Sequence, residues 1–330
     1  MRFLFFIFLS LLFIACSTSS VKKENVFDQR LTEFEYPFPV SFFNLDSQKQ
    51  NFEMAYMDLN PKAKKVVLLL HGKNFSGFYW ERIANDLVSK DYRVVIPDQI
   101  GFGKSSKPEF YQYSFANLSL NTKKLLEELG IEKVQIVGHS MGGMLATHFT
   151  YSYPKTVSKL ILINPIGLEP YLKYVEYKDP QFFYEQELNK TPEKFKAYQQ
   201  KNYYDGKWSE EYDFLLAPYS GQMRGEDWPR VAWNNALTYG PIFSEDITHL
   251  FSSIKQRVVL IIGTRDKTGP GRGWKKPGVK HQLGQYNKLG KEAHKKFPNS
   301  ELFELEDLGH MPQFEDYDRF AKVFFPEFRQ

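Results

Sequence analysis

The residues with the most chemical content are a serine framed by glycines, Gly138-His139-Ser140-Met141-Gly142, at the end of an apolar run and ahead of a helical stretch. A serine at a sharp strand-to-helix turn is held in strained backbone angles with its hydroxyl raised above the sheet. Glycines two before and two after leave room for that turn to close. The helix that begins there aims its first N–H groups at the same point, where they favour negative charge. Such a serine performs nucleophilic acyl chemistry once a base takes its proton. Five histidines lie at or beyond His148. His310 follows the last strand signal, with Gly309 before it to permit a close turn, and is a candidate base. His148 belongs on the helix after the serine, turned away. His249, His281 and His294 fall in polar stretches and read as surface residues.

These side chains are far apart in the chain, so a scaffold must bring them together. VVLLL (66–70), RVVIP (93–97), VQIVG (134–138), LILIN (160–164) and VVLIIG (258–263) are short, β-branched-rich, wholly apolar runs. Such runs suit strands buried on both faces of a parallel sheet. Positions 301–305 are a half-polar version, and 40–45 and 51–59 read as edge strands. Between the runs lie helical stretches, among them 117–130, with Leu118, Leu125, Leu126 and Leu129 at helical spacing and Gly130 as a stop. Strands alternating with helices imply a doubly wound sheet. The rhythm breaks once, from about Gly167 to Leu250, where aromatic, charged and Pro-punctuated stretches predict an inserted, mostly helical unit. GPGRGWKKPG (269–278) reads as a mobile surface loop.

With these pieces in place, residues from about 60 to the end resemble the α/β-hydrolase superfamily, in its capped esterase, lipase and C–C hydrolase branch. HGKNFSGFYW (71–80) resembles that family's oxyanion loop, and DQIGFGKSS (98–106) its D-x-x-G-x-G-x-S loop. The resemblance implies an eight-stranded, mostly parallel, doubly wound sheet with an inserted helical cap: core over 36–166 and 251–330, cap over 167–250. The family's Ser–acid–His order implies His310 as the base and Asp266, in GTRDKTGP, as the acid that orients it; the other position some members use carries Asn164-Pro165 here, with no carboxylate. Asp246 and Asp307 are the weaker alternatives. Backbone N–H groups of Lys73 and Met141 are the implied oxyanion donors, each typically worth about 3 kcal/mol, with Asn74 as a second loop candidate. His71 is expected to brace the loop, and Asp98 and Ser105 to be structural. The candidate pocket residues are His71, Asn74, Tyr203, Tyr204, Trp208 and Trp233. A serine nucleophile differs from the aspartate of epoxide hydrolases and haloalkane dehalogenases. The implied activity is hydrolysis of a carboxylic ester or related acyl substrate through an acyl-enzyme. C–C cleavage, lactone opening or perhydrolysis can run on the same residues, and a silent envelope binding protein is the non-enzymatic alternative.

Composition bounds the rest. The chain has 330 residues and a formal charge of +4 from 43 basic and 39 acidic side chains. That excess is too small and dispersed for a nucleic-acid partner. Aromatic residues make up 17%; such rings are more often core than pocket lining, and it is the aromatic inserted stretch that suggests an apolar or aromatic small-molecule substrate. No metal-ligand cluster or dinucleotide motif is present, so no cofactor and no metal are expected. Arg2 followed by an apolar run to Ala15 has the build of a secretory signal, too short to span a membrane well. It resembles a bacterial lipoprotein signal ending before Cys16, the single cysteine, although Phe13 stands where Leu is usual. The expectation is a signal over 1–15, a polar lipidated tether over 16–35, and an exported protein held at the bacterial envelope by a lipid on Cys16.

Overall fold

A computed structural model describes residues 25–328. The signal expected over 1–15 and the lipidation site Cys16 lie outside the described residues. The core is one sheet of eight strands: β1 (Ser41–Ser47), β2 (Gln50–Leu59), β3 (Lys65–Leu70), β4 (Tyr92–Pro97), β5 (Val134–His139), β6 (Val157–Ile163), β7 (Arg257–Gly263) and β8 (Ser300–Leu305). Their order is β1-β2-β4-β3-β5-β6-β7-β8. β2 runs antiparallel to β1 and β4, and every other pairing is parallel. Each strand covers a run that the sequence marked, to within three residues at either end.

Helices α1 (Glu81–Val88), α2 (Phe115–Glu128) and α3 (Met141–Ser152) connect the first strands. α4 (Tyr171–Tyr174), α5 (Pro180–Leu188), α6 (Pro192–Tyr203), α7 (Asp213–Met223), α8 (Trp228–Leu237) and α9 (Tyr239–Ser244) lie between β6 and β7. α10 (Tyr286–Lys296), α11 (Pro312–Glu315) and α12 (Tyr317–Phe324) complete the chain. The apolar strands are buried because both faces are covered. Leu68 and Leu70 join a cluster with Leu125, Phe149 and Leu289 from α2, α3 and α10. Val67 and Leu69 point the other way, to Ile83 and Leu87 of α1 and Phe320 and Phe324 of α12. This is the two-residue alternation of a strand, with each set meeting its own layer of helices.

The inserted segment starts its helices with strong local signals. Asp179 accepts from the Phe182 N–H and Thr191 from the Lys194 N–H, each ahead of a proline in the first turn of α5 or α6. Phe195, Leu216, Tyr219, Trp228, Val231 and Ala232 give the insertion a small core of its own.

Two expectations about loops change. The stretch read as a tether to position 35 is packed from Phe27 onward. The Phe27 N–H donates to the Gly221 carbonyl at 3.0 Å, Leu31 is buried, and Arg30 Nε donates to the Lys104 carbonyl at 2.6 Å. Its apolar residues bury against the insertion and core, which a polar tether could not do. Nor is 269–278 a free loop: Gly271 lies against Val175, Lys275 pairs with Val175, and Trp274 packs edge-on to Phe182. These contacts hold residues 269–274 as part of a wall of the cavity described next, while 275–278 stay exposed at the surface.

Candidate active site

Ser140 links β5 to α3 at φ 56° and ψ −121°, a region that costs a non-glycine residue strain. The flanking glycines hold it there by close approach. A Cβ on Gly138 would sit 2.3 Å from the Gly142 carbonyl oxygen, and one on Gly142 would sit 2.2 Å from the Leu70 oxygen. The turn can close only without them.

His310 and Asp266 meet this serine. His310 Nε2 lies 3.0 Å from Ser140 Oγ, placed to accept its proton. His310 Nδ1 lies 2.7 Å from Asp266 Oδ2. Asp266 Oδ1 accepts from the Thr268 N–H at 2.7 Å, and Oδ2 also accepts from Asn164 Nδ2 at 2.9 Å. Burial alone would raise the Asp266 carboxyl, but the charge and hydrogen bond of His310, with the Thr268 and Asn164 donors, outweigh it and hold it below its ordinary value. Asp266 therefore stays ionised and fixes the proton on His310 Nδ1. Arg265, its neighbour in sequence, pairs instead with Glu315. Glu315 Oε1 accepts from the Gly309 N–H at 2.6 Å, which ties the acid loop to the histidine loop. Gly309 serves a close approach rather than a left-handed turn: a Cβ there would meet the Tyr203 carbonyl oxygen at 2.0 Å.

Several supporting residues carried no sequence signal. His139 Nε2 donates to the His310 carbonyl at 2.9 Å. Its pKa is pushed down to about 3 by burial and by His310, so it is neutral and its Nδ1 accepts from Tyr79 Oη at 3.1 Å. The same Tyr79 hydroxyl accepts from the Gly72 N–H at 3.0 Å. A chain of hydrogen bonds thus joins the loop after β3 to the backbone of His310. Asn164 Oδ1 accepts from the Gly263 N–H at 2.9 Å, which leaves only its amide nitrogen free to face Asp266.

The oxyanion candidates flank the serine. Met141 is the first residue of α3, so its N–H has no carbonyl one turn earlier to donate to. Lys73 follows Gly72, where a Cβ would lie 3.0 Å from that of Ser140. His71 accepts from the Gln99 N–H at 3.0 Å and bonds the Gly72 carbonyl, so it braces the loop. Asp98 accepts from the Gly77 and Lys104 N–H groups and Ser105 donates to the Asp98 carbonyl; both hold structure.

Ser140 opens into a cavity of about 730 Å³ between the sheet and the insertion, and Lys73, Asn74, Tyr203, Tyr239, Phe243 and Trp274 are among its walls. The Tyr203 ring lies 4.6 Å from the His310 ring. The other aromatic pocket candidates lie outside these walls, because their own partners hold them elsewhere. Tyr204 stacks on Tyr212 at 4.0 Å. Trp208 Nε1 donates to Asp213 at 3.0 Å, and Trp233 Nε1 to the Glu109 carbonyl at 2.8 Å. Among the other histidines, His148 bonds Ser119 and His294 bonds Ser300. His281 is more engaged than a surface residue, lying 2.6 Å from Glu169 and stacked on Tyr174.

Comparison with known proteins identifies the family and the fold. The family model for the alpha/beta hydrolase fold matches residues 65–317. A solved structure from Pseudomonas aeruginosa PAO1, described as a probable hydrolytic enzyme, superposes with a TM-score of 0.90 at 40% identity, covering 93% of this chain and 99% of that one. Lipase 1 of Psychrobacter immobilis is 25% identical over 272 residues, 82% of this chain and 78% of the lipase. An uncharacterized protein of Mycobacterium bovis is 38% identical over 103 residues, and the chain spans only 30% of that relative's length. The chain belongs to the α/β-hydrolase fold family.

Proposed function

We propose that the protein is a serine hydrolase acting on carboxylic esters or related acyl substrates through an acyl-enzyme on Ser140. The observation that carries this reading is the pair of contacts on His310: Nε2 at 3.0 Å from Ser140 Oγ and Nδ1 at 2.7 Å from Asp266. Ser140 Oγ attacks the acyl carbon as its proton passes to His310 Nε2, and the N–H groups of Met141 and Lys73 receive the oxyanion. The intermediate collapses, and the leaving alcohol departs with that proton. Water then gives its proton to His310, attacks the acyl-serine, and releases the acid and the free serine. Asp266 stabilises the imidazolium in both halves. Aromatic walls such as Tyr203, Phe243 and Trp274 support an apolar or aromatic portion in the substrate.

A panel of 4-nitrophenyl esters tests this. Turnover by the wild type and its loss in Ser140→Ala support it. Equal turnover in the two proteins would remove the serine from the mechanism. Acetates outrunning bulky acyl or aryl esters would remove the aromatic-substrate part alone. We also propose, from residues 1–16, that the chain is exported and anchored at the envelope by a lipid on Cys16. Cys16→Ala should move the protein from the membrane to the soluble fraction, and an unchanged membrane fraction would refute the anchor.

A further inference from the structure

The cavity in front of Ser140 is sorted by charge. Its walls include five cations, Lys73, Lys190, Lys194, Lys201 and Arg272, and no carboxylate among the described residues. The chain as a whole is nearly balanced, with 43 basic and 39 acidic side chains, so the composition does not account for this segregation.

Lys73 is the buried member. Its Nζ donates to Asn235 Oδ1 at 3.1 Å, lies 4.0 Å from the centre of the Tyr239 ring, and stands 3.6 Å from Glu187 Oε1. Glu187 lies behind the wall and is engaged by closer donors, with Lys190 Nζ at 2.6 Å and the Tyr219 hydroxyl at 2.8 Å. One carboxylate thus faces two ammonium groups. The two partners of the longer contact are held unequally. For Glu187, Lys190 and Lys73 together overcome burial and keep the carboxylate ionised. For Lys73, burial wins and pushes its pKa down to about 7. Lys73 thus has one carboxylate partner, and Lys190 holds that partner more closely. Lys194, Lys201 and Arg272 stand exposed at the mouth; Lys194 donates to the Asn189 carbonyl and Arg272 to the Lys267 carbonyl. None of the three forms an ion pair among the described residues.

We propose that the acyl portion of the substrate carries a second, free carboxylate, bound at the Lys73 ammonium, with the three mouth cations drawing it in: the substrate class is a monoester of a dicarboxylic acid. The inference rests on the serine-hydrolase reading. A carboxylate on the substrate adds to the single charge that Glu187 divides between Lys73 and Lys190, and the aromatic wall covers the methylene chain between the two acyl ends. Buried pairs of this kind set specificity, whereas mouth charges act mainly on encounter and fade with salt.

The test is the ratio of kcat/KM for mono-4-nitrophenyl adipate over 4-nitrophenyl hexanoate, two esters that differ in the terminal charge. A ratio cancels any general loss of activity or folded fraction. The wild type should favour the adipate ester roughly tenfold or more, and Lys73→Gln should remove most of that preference. The double variant Lys194→Gln/Lys201→Gln changes exposed side chains only. It should lower the ratio several-fold at low salt and match wild type at high salt. A wild-type ratio at or below one overturns the inference while leaving the serine hydrolase standing, as does an unchanged ratio in both variants. If neither ester is turned over, the same comparison is read from protection of Ser140 against a fluorophosphonate by free adipate and by neutral hexanediamide. Equal protection overturns the inference, and absence of any labelling overturns the serine-hydrolase reading with it.

Discussion

Replacing Asp266 by asparagine removes one negative charge and keeps the shape. The carboxylate accepts three donors: His310 Nδ1 at 2.7 Å, the Thr268 N–H at 2.7 Å and Asn164 Nδ2 at 2.9 Å. An amide has one acceptor oxygen. If it stays with the Thr268 N–H, its NH₂ faces both His310 Nδ1 and the Asn164 amide. His310 answers by moving its proton to Nε2, so that it donates to Ser140 and can no longer act as base. The expected loss is about 10³- to 10⁴-fold in kcat, or about 4 to 5.5 kcal/mol of barrier. Asn164 cannot turn to relieve the clash, because its Oδ1 holds the Gly263 N–H. Two opposed buried donors should therefore also lower stability by about 1–3 kcal/mol. The pH dependence has a definite sign. The folded Asp266 pKa lies below the ordinary 3.8, so the stability it contributes is complete above that value and is lost as pH falls through the lower, folded value. The gap between wild type and Asp266→Asn should be constant at neutral pH and shrink below about pH 4. Urea unfolding against pH and steady-state ester kinetics measure both effects. A variant that keeps kcat within tenfold of wild type would refute the assignment of Asp266 as the orienting acid.

Three further outcomes follow from the same contacts. Tyr79→Phe leaves the Gly72 N–H without its acceptor and should cost about 1–3 kcal/mol in urea unfolding, with kcat falling more than KM rises as the oxyanion loop loosens. Gly142→Ala drives a Cβ to 2.2 Å from the Leu70 oxygen and should destabilise the fold by about 3 kcal/mol, the upper end for overpacking. Lys73 has a folded pKa near 7 against an ordinary 10.5, with Glu187, Lys190, Asn235 and Tyr239 around it. The cost of burying its charge is full below about 7 and is relieved as pH rises toward 10.5. Lys73→Met should therefore be more stable than wild type at pH 6, with the margin narrowing by pH 9 in thermal unfolding.

The strands were legible because burial on both faces demands unbroken apolar runs, and Val66–Leu70 or Val258–Gly263 can serve little else. Ser140 was legible because Gly138 and Gly142 are forced on the turn by backbone contact, a constraint that survives as spacing. The supporting contacts leave no such trace. His139 occupies a variable position of the serine motif, and its link through Tyr79 to Gly72 exists only after folding. Glu187 and Lys190 lie on and just beyond a helix whose sequence gives no hint that they face Lys73. Aromatic content pointed to pocket walls, yet Tyr204, Trp208 and Trp233 have partners elsewhere, since a ring counts the same in composition wherever it packs. Phe27 and Leu31 were submerged in a polar neighbourhood, so their burial against the insertion and the core went unread.

The most direct test of the central claim is covalent labelling of the folded protein with a fluorophosphonate, read by intact mass and peptide mapping. A single adduct on Ser140 is expected, absent in Ser140→Ala and slowed by orders of magnitude in His310→Ala. An unlabelled wild type, or an adduct on another residue that persists in Ser140→Ala, would contradict it.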